Sequence, residues 1–527
     1  MKKIIFLLFI ILIIQSILWC EDLSYYIREN IDAYGPIFGE ESTNSSRMTY
    51  LMFLKPVITD EKFIVEPIIF DSPLPEGTQL TDGRIQYLFK VKDNILWHDG
   101  EKVTAFDIDF TYNVIKNPEI KSTTAKAKVE NIVSMRATDE STLEVCFNQR
   151  SQDNFGALTF SILPKHKFDI EASGSIYDIK PTDRFFKDNP MGNGMYKKNM
   201  AMGNLTMLSR NDNYFDQEKI PKFEEIKVQY RDEVATIVED LLGKDDINFM
   251  PDVPVTRYLE IDEHPDFSVI NYLEFSWNFV AFNMRKDIFQ DINLRKALCI
   301  AVDIDDWNES IFQGEAEITT GPFPPYLPEA YNSNYFPEEY NPSKAREILL
   351  KNKYADYDGN GIIEKDKKDI VLNFIYQKGN EEDEHLASKL ITSFGEIGIE
   401  LNAESVDNFE TRVFDEHDFD LALVSFKFGS NPSISPIFHS SNDRKGGFNV
   451  CGFNDAEIDA KLDEAAMKTS SEDMFKLYKE LHVLVAEQHP GIFLWQKPKY
   501  IAYDNKISGI NKSTIDPINI FKKIYLW

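Results

Sequence analysis

The chain has 527 residues, 43% of them hydrophobic and 13% aromatic, enough to fill the cores of two or three domains. Charged residues make up 27% and no long Gly, Ser or Pro tract occurs, which argues against a disordered chain. A formal net charge of −30 disfavours nucleic acid, whose backbone needs clustered cations, and has the wrong sign for polybasic membrane recognition; a solvated, self-repelling surface is the simpler reading.

The N-terminus reads "MKKIIFLLFIILIIQSILWC". Lys2 and Lys3 precede an unbroken apolar run over 4–14, and Gln15 and Ser16 follow. The run is short for a membrane span and right for a secretory h-region, so 1–20 is read as a signal peptide and the mature protein as exported. Ile17-Leu18-Trp19-Cys20 resembles a bacterial lipobox, which makes Cys20 the candidate lipidation site. That pattern wants a small residue where Trp19 stands, and cleavage near Ser16 is the alternative. The other cysteines, Cys146, Cys299 and Cys451, are widely spaced and form no CxxC pair. Neither a disulfide scaffold nor a thiolate zinc site is supported; Cys146 and Cys299 read as small buried hydrophobes.

Further along, apolar periodicity switches repeatedly between 2 and 3.6. "IQYLFKV" alternates as a strand and "WHDG" supplies a turn. "TAFDIDFTYNVIKN" predicts a helix, with Thr104 as its cap, Asp107 three residues later and Asn117-Pro118 as its stop. "TLEVCF" and "EEIKVQY" predict strands, "VATIVEDLL" a helix and "DINFM" a strand. "NPSKAREILLKN" places Asn341 at a cap and Pro342 at the first helical position. "IVLNFIY", "HLASKLITSFGEIG" and "FDLALVSF" then read as strand, helix and strand. In "NDAEIDAKLDEAA", Asn454 and Glu457 stand at capping-box spacing and Ile458, Leu462 and Ala465 form the inner stripe; a last helix carries Phe475, Tyr478, Leu481 and Val485. The alternation predicts an α/β chain of more than one lobe, with sheets covered by helices.

Enzyme motifs are missing: no HExxH, GxSxG or GxxxxGK[ST] occurs, and "GNGMYK" lacks the third glycine of a dinucleotide fingerprint. His482 and His489 lie seven apart on the predicted last helix with no third ligand nearby, so a structural role is preferred. "YADYDGNGIIEKD" opens like an EF-hand loop: Asp356, Asp358 and Asn360 take positions 1, 3 and 5, Gly361 the turn, and Glu364 position 9. Position 12, however, is Lys367, and a strand rather than a helix follows. Asx and Gly turn chemistry is the preferred reading; calcium on Asp356, Asp358, Asn360 and Glu364, completed by Asp366 or Asp369, is the alternative.

Several stretches together resemble the extracellular solute-binding proteins of the peptide/nickel class (family 5), which serve ABC importers. "FKVKDNILWHDGEKVTAFDIDFTYN" carries the family's strand, its aromatic-His-Asp-Gly turn (Trp97, His98, Asp99, Gly100) and its Thr-Ala-x-Asp helix start. "ILPKHKF", "NPMGNGMYK", "LSRNDNYF" and "DINFMPDVP" follow in family order. "VAFNMRKDIFQDINLRKALCIAVDIDDW", "YNPSKAREIL", "FGEIGIEL" and "FNDAEIDAKLDEA" complete a match from about Met48 to the C-terminus.

The resemblance implies an α/β, two-lobed periplasmic-binding-protein fold of type II with an extra peripheral domain and a hinge between the lobes. On that pattern 21–45, 185–270 and 496–527 form lobe I, 46–184 the peripheral domain and 271–495 lobe II. It implies a receptor rather than an enzyme: a monomer without cofactor or resident metal, enclosing a peptide or similar small solute and presenting it to a membrane permease from the periplasm or cell surface. Family members place the loop after the "LALVSF" strand in the cleft, which gives Phe426, Phe428, Ser430 and Asn431 as ligand-binding candidates, with core membership of one or both Phe as the alternative. Trp277 and Asn278 of "FSWNFVAFN", and Phe38 and Glu40 of "GPIFGEEST", join them. Peptide-binding members commonly carry an Asp in that first loop to meet the peptide amino group; Gly429, Ser430 and Asn431 stand there instead, which argues against classical oligopeptide binding and leaves a sugar-derived ligand, an unusual peptide or a metal chelate open. A secreted hydrolase with an unrecognised site, or a sensor or adhesin on the same fold, are the rival functions.

Overall fold

The structure is a computed structural model. It describes residues 22–527 apart from 29–30, 32, 40–41, 61, 152–153, 169–178, 181–182, 232, 244–246, 429–430 and 469. The predicted signal segment with Cys20, and the candidates Glu40 and Ser430, lie outside the described residues. No helix among the described residues is long and apolar enough to cross a membrane.

The chain divides into two compact units: unit 1 runs to Tyr272 and resumes at Lys499, and unit 2 is Leu273–Pro498. The chain therefore passes between units twice.

Unit 1 holds three principal sheets. The first contains, in order, Asp22–Ile27, Glu225–Tyr230, Leu205–Arg210 and Tyr196–Met202, with only the first pair parallel. The second is Phe249–Val253, Pro498–Asp504 and Phe267–Leu273. The third, all antiparallel, is Thr78–Gln79, Ile85–Lys90, Thr142–Phe147 and Ile132–Asp139. The helix Ala105–Lys116 packs on its last two strands. That helix starts where the sequence says: Asp107 accepts from the Thr104 backbone N–H at 2.8 Å, closing a capping box that supplies partners to otherwise orphan N–H groups. The C-terminal segment returns to the N-terminal strand: Trp527, only 1% exposed, meets Phe249 at 5.4 Å, and Phe249 meets Tyr25 edge-on at 5.9 Å.

The family-like blocks of unit 1 converge on one knot. His98 donates its ring Nε2–H to the Gly194 carbonyl at 3.1 Å, and its backbone N–H donates to Gly192 O. Asp99 binds His166 at 2.9 Å and Lys167 at 2.7 Å, and Asp107 accepts from Lys165 N at 2.9 Å. Gly192 is required by contact: a Cβ there would stand 1.9 Å from Met52 O. These motif residues are therefore structural, tying 97–107, 162–168 and 191–194 to the end of the helix Thr43–Met52.

Unit 2 is built on one five-stranded sheet, in order Glu400–Val406, Val371–Gln377, Leu421–Lys427, Ser276–Phe282 and Gly491–Phe493. The first three run parallel to one another and the last two pairings are antiparallel. The helix Glu381–Glu396 covers the parallel half, burying Leu386, Leu390 and Phe394. Arg295, from the "LRKAL" block, is 3% exposed and donates to Gln488 O and His489 O, just past the end of the helix Ser471–Glu487, and to Phe289 O.

Two local expectations need correction. The helix Ala456–Ala466 is capped by Asp455, which accepts from Glu457 N and Ile458 N; the cap is one residue later than Asn454. Its stripe Ile458, Leu462 and Ala465 is buried as expected. The last helix ends at Glu487, so His489 lies beyond it with a positive φ of 47°, and the two histidines share no helix face. Phe475 is half-buried; Met474, Leu477 and Tyr478 form the inward stripe with Leu481 and Val485.

Candidate functional site

The strands Ser276–Phe282 and Leu421–Lys427 pair so that Trp277 faces Phe426 and Asn278 faces Ser425. Every residue of Ser276–Phe282 is buried, as befits a strand flanked on both edges within the sheet. The second strand alternates only at its end: Phe426 and Phe428 point one way, Ser425 and Lys427 the other.

Two aromatic groups result. Trp277, fully buried, contacts Phe426 at 5.6 Å, Phe493 at 5.7 Å and Phe279 at 5.2 Å, with Phe438 stacked beyond. Phe428 meets Phe275 edge-on and stacks with Phe323, both at 6.3 Å, while Phe275 lies 5.0 Å from Tyr326. Asn278 donates to Trp495 O at 3.3 Å, and Asn431, half-buried, accepts from Ser433 N at 2.9 Å. Phe38, in unit 1, is half-buried and packs edge-on against Phe186 at 4.9 Å. Thus Trp277, Asn278 and Phe426 are gathered on adjacent strands, and Phe428 and Asn431 lie just beyond.

This region holds several unmatched polar atoms, as do other parts of the molecule such as Trp97 Nε1 and Asn193 Nδ2 in unit 1. Ser276 Oγ, Trp277 Nε1, Tyr326 Oη and Gln496 Oε1 are buried and have no hydrogen-bond partner among the described residues. Buried polar groups normally find partners, and each one left alone costs about 1–3 kcal/mol. Trp277 Nε1 and Tyr326 Oη belong to side chains packed against aromatic rings, and such polar atoms beside apolar walls suit a ligand that is part apolar and part peptide-like. Phe275, Ser276, Tyr326 and Gln496 were missed by sequence reasoning; Phe275 and Ser276 lie within "FSWNFVAFN", while no motif marked Tyr326 or Gln496.

A charged cluster lies beside this region. Lys497 is nearly enclosed and binds Asp383 at 2.9 Å and Glu382 at 3.1 Å. Burial alone would depress its ammonium pKa, but the two carboxylates override that and hold it above the usual lysine value. The backbone beside it is tied across the two crossings: Glu274 N donates to Lys497 O at 3.1 Å and Gln496 Nε2 to Glu274 O at 2.9 Å.

Other features serve less well. A cavity of about 260 Å³ in unit 1, with Tyr50, Tyr214 and Tyr525 on its walls, is below the usual ligand-pocket range. Its Lys522 is paired with Asp516 and Lys219 with Glu66 and Asp216. His482 is fully buried, bonds Thr320 Oγ1 at 3.1 Å and is held neutral by burial, its pKa near 4. Burial pushes the thiols of Cys299 and Cys451 up to about 12, which makes them poor nucleophiles and poor metal ligands. The carboxylates Asp356, Asp358 and Glu364 lie together in the loop before Val371–Gln377.

Comparison with known proteins places this architecture. The profile of bacterial extracellular solute-binding proteins, family 5 Middle, matches residues 69–447. The chain is 28% identical over 485 residues to the oligopeptide-binding protein AppA of Bacillus subtilis, covering 89% of this chain and 84% of that protein. It is 23% identical over 473 residues to heme-binding protein A of Haemophilus influenzae, covering 84% and 81%. The fold superposes on AppA from Bacillus subtilis in complex with a nonapeptide with a TM-score of 0.76 at 24% identity, covering 96% of this chain and 98% of the other. The two-lobed α/β frame and the family match over most of the chain lead to one assignment: this chain belongs to family 5 of the bacterial extracellular solute-binding proteins.

Proposed function

We propose that the protein is the extracytoplasmic receptor of an ABC importer, capturing a short peptide or a solute of similar size as its two lobes close and presenting it to the permease. The observation that carries this reading is the family 5 match over 69–447, which spans both units. Capture by closure requires no catalytic group; it requires apolar walls and a few aimed polar atoms. Trp277, Phe426 and Phe428 would supply the walls in unit 2, with Ser276 Oγ, Trp277 Nε1 and Tyr326 Oη as the polar atoms and Asn278, Ser430 and Asn431 beside them; Phe38 and Glu40 stay as further ligand-binding candidates.

A peptide is favoured over a free cation because the unmatched atoms here are hydroxyls, an indole N–H and an amide, which meet peptide groups rather than nickel. On this reading unit 1 combines lobe I (21–45, 185–270 and 496–527) with the peripheral domain 46–184, to which the sheet 78–147 belongs, and unit 2 is lobe II (271–495). The protein acts as a monomer. Export runs through 1–20, and the mass of the mature N-terminus separates a lipid thioether on Cys20 from cleavage near Ser16.

The test is calorimetric titration with a peptide library of two to about ten residues, with product analysis in parallel. Saturable one-to-one binding without consumption of peptide is expected. Steady hydrolysis of the peptide would replace the receptor by a secreted hydrolase.

A further inference from the structure

In the loop after the helix Pro342–Lys351 three carboxylates cluster, and one of them is in the wrong place for a plain turn. Asp356 and Asp358 are exposed, as turn residues are, but Glu364 is only 7% exposed. Its Oε1 is buried and has no hydrogen-bond partner among the described residues. One carboxylate oxygen each from Asp356, Asp358 and Glu364 lie within 4.8 Å of one another. Among the described residues this is the only such group of three or more His, Cys, Asp or Glu side chains. Three like charges at that spacing repel, and burying one without a counter-charge adds a desolvation cost. A cation shared by the three removes both penalties.

The hairpin supplies what the linear pattern lacks. Lys367, which stands where an EF-hand loop has its last acid, sits instead in a two-residue turn: Asp366 and Lys367 have φ of 52° and 66°, the positive values of a tight hairpin turn. That turn pairs Glu364–Lys365 with Lys368–Asp369, so Asp369 lies directly across from Glu364. Asn360 Nδ2 donates to Asp369 Oδ2 at 3.0 Å, bringing the fourth carboxylate to the loop. Lys365 is turned away, bonded to Asn352 O at 2.6 Å and lying over the Tyr354 ring. The loop is seated rather than loose, since Ile363 N donates to Gly398 O at 2.7 Å and a Cβ on Gly398 would strike Ile363.

We propose that Asp356, Asp358, Asn360 and Glu364, with Asp369 from the facing hairpin strand, form a calcium site that pins the entry to the strand Val371–Gln377. Oxygen-only donors without His or Cys select a hard cation, and a carboxylate-rich loop of this length suits calcium better than the stricter octahedron of magnesium.

The test is calcium titration of the chelator-treated protein by calorimetry and by melting temperature, with magnesium and the Glu364→Gln variant alongside. One calcium per chain is expected, with a Kd of about 10⁻⁴–10⁻³ M, the range of extracellular modules, and a rise in melting temperature at saturation. Glu364→Gln should lose at least about tenfold in affinity while melting in chelator no lower than the parent, because it removes a buried unpaired charge. If that variant does not fold, Asp358→Asn, at an exposed position, serves the same comparison. Terbium luminescence sensitised by Tyr357, which lies within the loop and is 65% exposed, reads the same site independently. Absence of binding at about 10 mM calcium, equal binding of magnesium, or an unchanged titration in the variant would each overturn the proposal.

Discussion

Replacing Lys497 by Met tests the charged cluster beside the crossings. The Lys497 side chain is 12% exposed, and its partners Asp383 and Glu382 are 15% and 27% exposed. Removing the ammonium leaves two neighbouring carboxylates in the first turn of the helix Glu381–Glu396 with no cation beside them. Truncating one partner of a buried ion pair costs about 3–5 kcal/mol, and the partial exposure of Glu382 places this case near the lower figure. The helix N-terminus favours both carboxylates and returns a few tenths of a kcal/mol. A net loss of about 3 kcal/mol corresponds to a fall of about 6–12 °C in the melting of a unit of this size. Differential scanning calorimetry of parent and Lys497→Met measures it directly. The triple variant Lys497→Met, Glu382→Gln, Asp383→Asn should recover most of the loss, since it removes the unpaired charges together with their partner. A loss under about 1 kcal/mol in the single variant, or no recovery in the triple, would show that the cluster is solvated and holds nothing in place.

Further outcomes follow from other residues. Ser276→Ala should melt slightly higher than the parent without ligand, by about 1 kcal/mol, and bind the captured solute several-fold more weakly; equal binding would remove Ser276 from the site. Gly192→Ala places a Cβ 1.9 Å from Met52 O and should cost about 3 kcal/mol or more, read as a drop in melting temperature, whereas near-neutrality would contradict the packing of the knot. His482 has its folded pKa depressed to about 4, below the free value of 6.5, so the unfolded chain takes up the proton first. Stability should therefore fall as pH drops from about 6.5 towards 4, and His482→Gln should flatten that slope; an identical slope would mean that the histidine is not held neutral.

Elements that declare themselves locally were legible in the sequence. Thr104 with Asp107, and Asn341 with Pro342, carry their capping chemistry within four residues, and the helices start there. Asn454 and Asp455 are adjacent residues with nearly the same capping ability, and choosing between them depends on a backbone turn that composition does not encode. The site was harder because its aromatic partners come from distant stretches. Trp277 meets Phe426, Phe438 and Phe493, and alternation cannot sort wall from core in a strand buried on both faces. The acidic loop shows both cases: Asp356, Asp358, Asn360 and Glu364 stand in a readable spacing, while Asp369 enters only through a hairpin register set by two left-handed residues, Asp366 and Lys367.

The receptor proposal requires that this protein bind its solute without transforming it. Native mass spectrometry of the freshly purified protein, before and after mild denaturation, tests it most directly. A single small solute, peptide-like in mass, bound one per chain, released by denaturation and rebound unchanged on refolding, is the expected result. Recovery of cleaved products that accumulate beyond one equivalent when intact solute is added would contradict it.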